Sequence, residues 1–220
     1  MNPQHTPALF IWLPKCAGTT FFRHFNFNKQ IAHPGIDYNF NNKDSVTFGH
    51  ADINILLEHQ IISREFYNKS FKFCITRNPY DRVVSLFHYL QQKKGHWHLA
   101  GRIPEDFNFS DWVRYLSDNR HSIPANSERN ININKWINSQ WNTMSSWIPK
   151  DINKVYQLED GIESIIEDVQ NYCELNSNAN IESKNQSKHK HFLEYYNQET
   201  LDIIYEIYQE DFVRFNYPKS

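Results

Sequence analysis

The segment FIWLPKCAGTTFFRHF, residues 10–25, changes from a strand pattern to a helix pattern within a few positions. Residues 10–13 predict a buried strand, the PKCAG stretch interrupts it, and a helix is expected from Thr19 onward. Lys15 therefore lies just beyond the end of a buried strand. Because a lysine in such a place is costly unless an anion meets it, this position indicates an anion site.

A strand that is followed by a tight turn and a helix favours the same interpretation. The first N–H groups of a helix have no partner within the helix and attract anions. Gly18 would let the backbone approach an anion closely, Thr19 and Thr20 would add hydroxyl donors, and Lys15 would add a mobile charge. The GxxxxGK[ST] pattern of nucleoside triphosphatases is absent, since here the lysine precedes the glycine. The alternative is an ordinary surface turn with a solvated lysine and a capping threonine.

A second segment, FCITRNPYDRVVSLFHYL at residues 73–90, repeats this arrangement. A buried strand ends at Arg77, whose guanidinium can grip a phosphate with two hydrogen bonds. Ser85, about two turns into the following helix, could reach the same anion. The alternative is a surface arginine and a satisfied helix serine, and Asp81 is interpreted as a surface or packing charge. Two basic strand ends in one small domain suggest a ligand with phosphates at both ends.

The wider pattern predicts a three-layer α/β fold with a central, mainly parallel sheet flanked by helices. Helical periodicity follows Pro79 and returns near the C-terminus. Residues 1–220 are expected to form one domain, with an acceptor-side insertion at about 95–149 that carries a short helical signal at FSDWVRYL. The four predicted strands are ALFIWL (8–13), SVTFGH (45–50), FKFCIT (71–76) and KVYQLE (154–159).

Composition excludes several classes. With 40% hydrophobic and 15% aromatic residues the chain is globular, and a formal charge of −2 argues against a nucleic-acid binder. No apolar run approaches the roughly 20 residues of a transmembrane helix, and the start of the chain does not resemble a signal peptide. The three cysteines lie far apart, which predicts no disulfide and a cytoplasmic location.

Together, LPKCAGTTFF and TRNPYDRVVSLFHYL resemble the sulfotransferases that use 3′-phosphoadenosine 5′-phosphosulfate (PAPS), most closely the carbohydrate branch of heparan 2-O and chondroitin type. The resemblance implies a P-loop-like fold and the transfer of a sulfuryl group to a hydroxyl without a metal. In the carbohydrate branch, the hydroxyl belongs to a saccharide. It also implies which residues bind the two ends of PAPS. The 5′ end would be held by Lys15, Cys16, Ala17, Gly18, Thr19 and Thr20, and the 3′-phosphate by Arg77 and Ser85.

Two catalytic roles follow from the resemblance and from side-chain chemistry. Lys15 would neutralise the bridging oxygen as the nucleotide leaves. His50, after Gly49 at the end of a predicted strand, would take the proton from the acceptor hydroxyl, because its usual pKa suits a general base. A structural histidine is the alternative, since the chain has 11 of them. Lys188 lies in a polar loop that could close over the cofactor or simply be solvated.

Two other functions remain open at this point. A P-loop-like kinase or phosphotransferase would need the missing GK[ST] pattern and a magnesium ligand, for which Asp52 is the possible residue. A non-catalytic module could have kept only the anion pocket. No metal site is expected, because GHWH (95–98) and HKH (189–191) lack the spacing of zinc ligands. The oligomeric state does not follow from the sequence.

Overall fold

The computed structural model describes residues 6–24, 28–29, 46–47, 53–58, 60, 62–92, 107–119, 142–173 and 190–219. The chain divides into two compact units, each built from two separate segments. The first, here called the sheet unit, comprises Met1–Thr76 and Trp147–Asn185, and the second, the helical unit, comprises Arg77–Ser146 and Gln186–Ser220. The expectation of a single domain with an insertion stays a prediction.

Within the described residues, the sheet unit contains a five-stranded parallel sheet in the order β2-β3-β1-β4-β5. The α/β fold with a parallel sheet and flanking helices is therefore confirmed. The strands are β1 (Ala8–Ile11), β2 (Asn28–Lys29), β3 (Val46–Thr47), β4 (Phe71–Thr76) and β5 (Lys154–Gln157). The α-helices are α1 (Gly18–His24), α2 (Ile53–Glu58), α3 (Arg64–Lys69), α4 (Pro79–Gln92), α5 (Phe109–Asn119), α6 (Ile162–Cys173) and α7 (Gln198–Arg214).

The core of the sheet unit forms on the two central strands. Every residue of β1 and of β4 is buried, as expected for parallel strands that are covered on both faces. Phe10 and Phe73 are neighbours in the register, and their rings stack 5.1 Å apart. Helix α6 adds the apolar face that packs on this layer, namely Ile165, Ile166, Val169 and Cys173. Each fully buried side chain of this size contributes about 1.5–3 kcal/mol.

The predicted positions of the helices and strands agree best with the structure where the sequence pattern extends over many residues. Strand β4 matches its predicted bounds, and the helices after Pro79 and near the C-terminus are confirmed as α4 and α7. Strands β1 and β5 each end two residues before the predicted limit. Helix α5 confirms the FSDWVRYL signal and falls in the described part of the expected insertion, residues 107–119 and 142–149.

Capping side chains mark the helix starts in the helical unit. Asn78 precedes α4, and its Oδ1 accepts a hydrogen bond of 2.9 Å from the backbone N–H of Tyr80. Pro79 occupies the first helical position, where its missing N–H costs nothing. Asn197 caps α7 in the same way through the N–H of Thr200, at 2.9 Å. Asparagine is among the best residues for this task.

A buried carboxylate connects α7 to residues 142–146 of the helical unit. Asp211 is fully buried and accepts hydrogen bonds from the backbone N–H groups of Met144 and Ser145, at 2.7 and 2.8 Å. Burial raises the pKa of Asp211, while the charge of Arg82 and these N–H donors act in the opposite direction. Arg82 is also buried and donates to the carbonyl of Asn142 at 3.0 Å. Arg82 is therefore a buried packing charge of the helical unit.

We expect Asp211→Asn to lower the free energy of unfolding by about 1–3 kcal/mol, because the amide cannot accept both backbone hydrogen bonds and leaves one N–H unsatisfied. Urea denaturation measures this loss. The matched control is Asp202→Asn on the same helix, whose carboxylate is half exposed and 3.9 Å from Lys219. An exposed pair of this kind should contribute less than about 1 kcal/mol. Equal effects of the two variants would contradict the structural role of Asp211.

Two further expectations concern cysteines and membrane spans. All three cysteines, Cys16, Cys74 and Cys173, are buried and free, so the predicted absence of disulfides is confirmed. Burial raises the pKa of the Cys173 thiol to about 12. None of the helices in the described ranges combines the length and hydrophobicity needed to cross a bilayer.

Candidate active site

The loop between β1 and α1 has an unusual backbone conformation. Lys15 and Ala17 both have positive φ angles, 65° and 58°, although neither is glycine. Each such residue costs on the order of 1–3 kcal/mol and persists only where the surroundings enforce it. Left-handed residues in a turn can direct successive N–H groups into a concavity that binds anions. This backbone conformation is compatible with the predicted anion site, which stays a prediction.

The position of this loop in the sheet also favours ligand binding. Strand β1 lies between β3 and β4, and the chain passes from one side of β1 to the other between these two strands. In open parallel sheets, ligands bind beyond the carboxyl end of the strand where the order reverses. The loop that carries Lys15 follows β1 directly and so lies at this switch point.

The loop side chains divide into two groups. Lys15, Thr19 and Thr20 are partly exposed, so they can act through their side chains. Cys16 is buried and its Sγ lies 3.4 Å from the carbonyl oxygen of Pro14, so it would contribute through its backbone. The first turn of α1 contains no acidic residue that would repel an anion.

Gly18 is explained by a contact that the sequence pattern did not reveal. A Cβ atom at this position would overlap the indole ring of Trp12, standing 2.6 Å from Cε2 and closer still to two other ring atoms. That Gly18 lets an anion approach the backbone stays a prediction, and the indole occupies the space where its Cβ would stand. The contact spans six residues of an irregular turn, so no periodic pattern could have indicated it.

The second predicted phosphate site lies in the helical unit, at the start of α4. The guanidinium of Arg77 donates two hydrogen bonds of 2.8 Å to Asp81, one from Nε and one from Nη2. Both side chains are mostly buried. Ser85 lies one helical turn beyond Asp81, and residues four apart share a helix face. Asp81 thus holds Arg77 against the face that carries Ser85.

The partner of Asp81 is the second feature that sequence reasoning missed. Asp81 is a mostly buried charge, in keeping with the packing interpretation, but the sequence did not reveal that it pairs with the arginine predicted to bind phosphate. The i, i+4 spacing of Arg77 and Asp81 would have been a signal only if the arginine itself were helical. Arg77 precedes the first helical residue, Pro79.

The remaining predicted site residues, His50 and Lys188, lie outside the described residues, as does Asp52, the possible magnesium ligand of the kinase alternative. Within the ranges that the structure describes, no three His, Cys, Asp or Glu side chains form a group that could hold a metal ion.

The parallel sheet and its flanking helices place the chain among α/β proteins. The family is given by a family model, described as the sulfotransferase family, which matches residues 1–218. The chain therefore belongs to the sulfotransferase family.

Two solved structures share the fold. A sulfotransferase from Alicyclobacillus acidocaldarius is 11% identical, with a TM-score of 0.50, 96% of this chain covered and 94% of the other. Mouse sulfotransferase SULT7A1 complexed with PAP (3′-phosphoadenosine 5′-phosphate) is 12% identical, with a TM-score of 0.51, 96% of this chain covered and 85% of the other. At this identity the likeness shows the fold alone. A comparison with curated proteins finds no match.

Proposed function

We propose that this protein transfers a sulfuryl group from PAPS to a hydroxyl of an acceptor, and that the acceptor is a carbohydrate. The observation that supports it most is the loop with left-handed Lys15 and Ala17, located at the switch point of the sheet in a chain of the sulfotransferase family. The family and fold do not favour a kinase.

The residues of the two sites fit the two ends of this nucleotide. The loop offers backbone N–H groups, two threonine hydroxyls and one lysine to the 5′ end, without a carboxylate in the first turn of α1. Arg77 offers a guanidinium that Asp81 orients, and Ser85 offers a hydroxyl one turn away, to the 3′-phosphate. Lys188 is proposed as an additional contact, on the resemblance alone.

When bound, PAPS supplies an activated sulfuryl group. The protein's own task is then to position the reactants and to stabilise charge, since no covalent intermediate is required. Lys15 places a positive charge at the oxygen that bridges sulfur and the 5′-phosphate, where negative charge develops. Because Lys15 provides this charge, the proposal includes no metal requirement.

His50 is proposed as the base that accepts the proton of the acceptor hydroxyl. General base catalysis contributes about 10²–10⁴-fold to rates, so His50→Ala should lower kcat by that order and leave the affinity for 3′-phosphoadenosine 5′-phosphate (PAP) unchanged. The matched control is His191→Ala, since His191 is exposed. Steady-state assays measure the rate and calorimetry the affinity. Near-normal turnover in His50→Ala would remove this role.

The carbohydrate acceptor and a cytoplasmic location are proposed on fewer observations. The acceptor class follows from the likeness of the two motifs to the carbohydrate branch, and the location from three cysteines that are buried and free. Incubation with ³⁵S-labelled PAPS and a panel of glycans and phenols tests the function directly. Label in a glycan supports the full proposal, and label in phenols alone contradicts the carbohydrate class. A folded protein that binds PAP but labels no hydroxyl in the panel contradicts catalysis.

A further inference from the structure

Trp12 is in a special position relative to the loop that carries Lys15. It follows β1 at the beginning of the loop, and its indole lies against Gly18, the first residue of α1. A side chain at position 18 and the indole cannot occupy the same space, because a Cβ there would stand 2.6 Å from Cε2 and closer to Nε1 and Cδ1. The need for glycine at position 18 therefore depends on Trp12.

The same indole also joins the elements on both sides of the loop. Its ring stacks on Phe22 of α1, with centroids 5.6 Å apart and planes 23° apart. It also stacks on Phe10 of β1, at 6.3 Å and 21°. Through these rings Trp12 packs against the core cluster of the sheet unit. One side chain thus contacts the strand before the loop and two residues of the helix after it.

The loop needs such support, because Lys15 and Ala17 both have left-handed backbone conformations. Residues of this kind keep their conformation only where the surrounding structure enforces it. We infer that Trp12 is a positioning residue: it holds the loop in the conformation that binds the 5′ end of the nucleotide, and it is the reason that residue 18 is glycine. This inference rests on the proposed function, since it concerns the same loop.

A double-mutant cycle tests the inference. The affinity for PAP is measured by calorimetry, and the stability by urea denaturation, for the wild type, Trp12→Ala, Gly18→Ala and the double variant. In the Trp12 background, Gly18→Ala should weaken PAP binding strongly, because the methyl group displaces the indole or the helix start. In the Trp12→Ala variant the indole is absent, so a methyl group at position 18 meets no ring and Gly18→Ala should have little effect on PAP binding. We expect a coupling of about 10-fold or more, as for residues in direct contact.

The outcomes distinguish a positioning role of Trp12 from a direct role of Gly18 and from core packing alone. If Gly18→Ala weakens PAP binding equally in both backgrounds, the bound anion requires the glycine and the inference is wrong. If Trp12→Ala lowers stability but the folded variant binds PAP with the wild-type affinity, Trp12 is only a core residue and the inference is also wrong. If Gly18→Ala alone does not fold, a folded double variant supports the inference and an unfolded one contradicts it.

A control variant and the wild type complete the design. Tyr172→Ala removes another aromatic stack of the sheet unit, on Phe71 at 4.1 Å, without touching the loop. It should lower stability without changing the affinity for PAP, and an equal loss of affinity would contradict a specific role of Trp12. Failure of the wild type to bind PAP would instead overturn the proposed function, and with it the role of the loop. The double-mutant cycle measured by the free energies of unfolding would still show whether Trp12 is the reason that residue 18 is glycine.

Discussion

Lys15→Ala is expected to lower the rate constant for sulfuryl transfer by about 10²–10³-fold, the usual cost of removing one charge-stabilising donor from a reaction centre. The lysine lies in the loop at the switch point of the sheet, partly exposed and with its backbone in the left-handed region. In the proposed mechanism, its charge stabilises the leaving oxygen. The measurement is single-turnover transfer of labelled sulfate at saturating PAPS.

A second substitution at Lys15 separates catalysis from stability. Lys15→Gly removes the same charge but suits a φ of 65° better, because glycine enters this region without a steric cost. We therefore expect Lys15→Gly to be as slow as Lys15→Ala while unfolding at an equal or higher urea concentration. A stable, fully active glycine variant would show that the charge has no role.

The matched control for Lys15 is Lys69→Ala. Lys69 is an exposed lysine of the same unit, whose Nζ pairs with Glu65 at 2.7 Å. Its removal should leave the transfer rate unchanged. Equal losses at the two positions would point to a general effect of positive charge rather than to a specific one in the loop.

Arg77→Ala is expected to weaken PAP binding by about 10–100-fold, since hydrogen bonds to charged groups contribute about 1.5–3 kcal/mol. The effect should be selective. Adenosine 5′-phosphate lacks the 3′-phosphate, so its affinity should hardly change, and the ratio of the two affinities should fall. Arg77→Lys should recover only part of the loss, because an ammonium group lacks the planar fork. Isothermal titration calorimetry with both nucleotides measures the ratio.

Two control variants make this measurement specific. Arg114 in the same unit forms a comparable fork with Glu199, at 2.9 and 2.7 Å, and Arg114→Ala should not change the ratio. Arg77→Ala also leaves the Asp81 carboxylate without this partner, which could repel a phosphate by itself. The double variant Arg77→Ala/Asp81→Ala removes that charge. If it restores wild-type affinity, repulsion rather than a lost contact accounts for the effect, and Arg77 is not the phosphate ligand.

The features that the sequence predicted well are local ones. Strand β4 is indicated by a mostly apolar run, and helix α4 by a proline at the first helical position and by helical periodicity, so the strand and the start of the helix follow from short patterns. An anion site was predicted in the loop after β1 because a lysine follows such a run closely. The two residues of β2, by contrast, are too few to form any pattern.

The features that were missed depend on contacts between elements. The indole of Trp12 determines why residue 18 is glycine, and the ion pair with Asp81 determines where Arg77 points. Each involves a side chain that bends back across a turn, and such directions are set by tertiary packing rather than by spacing. The strand order that places β1 at the switch point is likewise a long-range property. Both contacts involve residues that the sequence proposes for the site, Gly18 and Arg77, and their binding roles stay predictions.

The central claim is that this chain binds a nucleotide with a 3′-phosphate and uses it for sulfuryl transfer. The most direct measurement is calorimetry of the purified protein with PAP and, separately, with ATP and Mg²⁺. We expect PAP to bind with an affinity at least about 10-fold higher than that of ATP, because only PAP carries the 3′-phosphate that Arg77 is proposed to bind. Tight binding of ATP with Mg²⁺, together with no binding of PAP, would contradict the claim and favour a phosphotransferase.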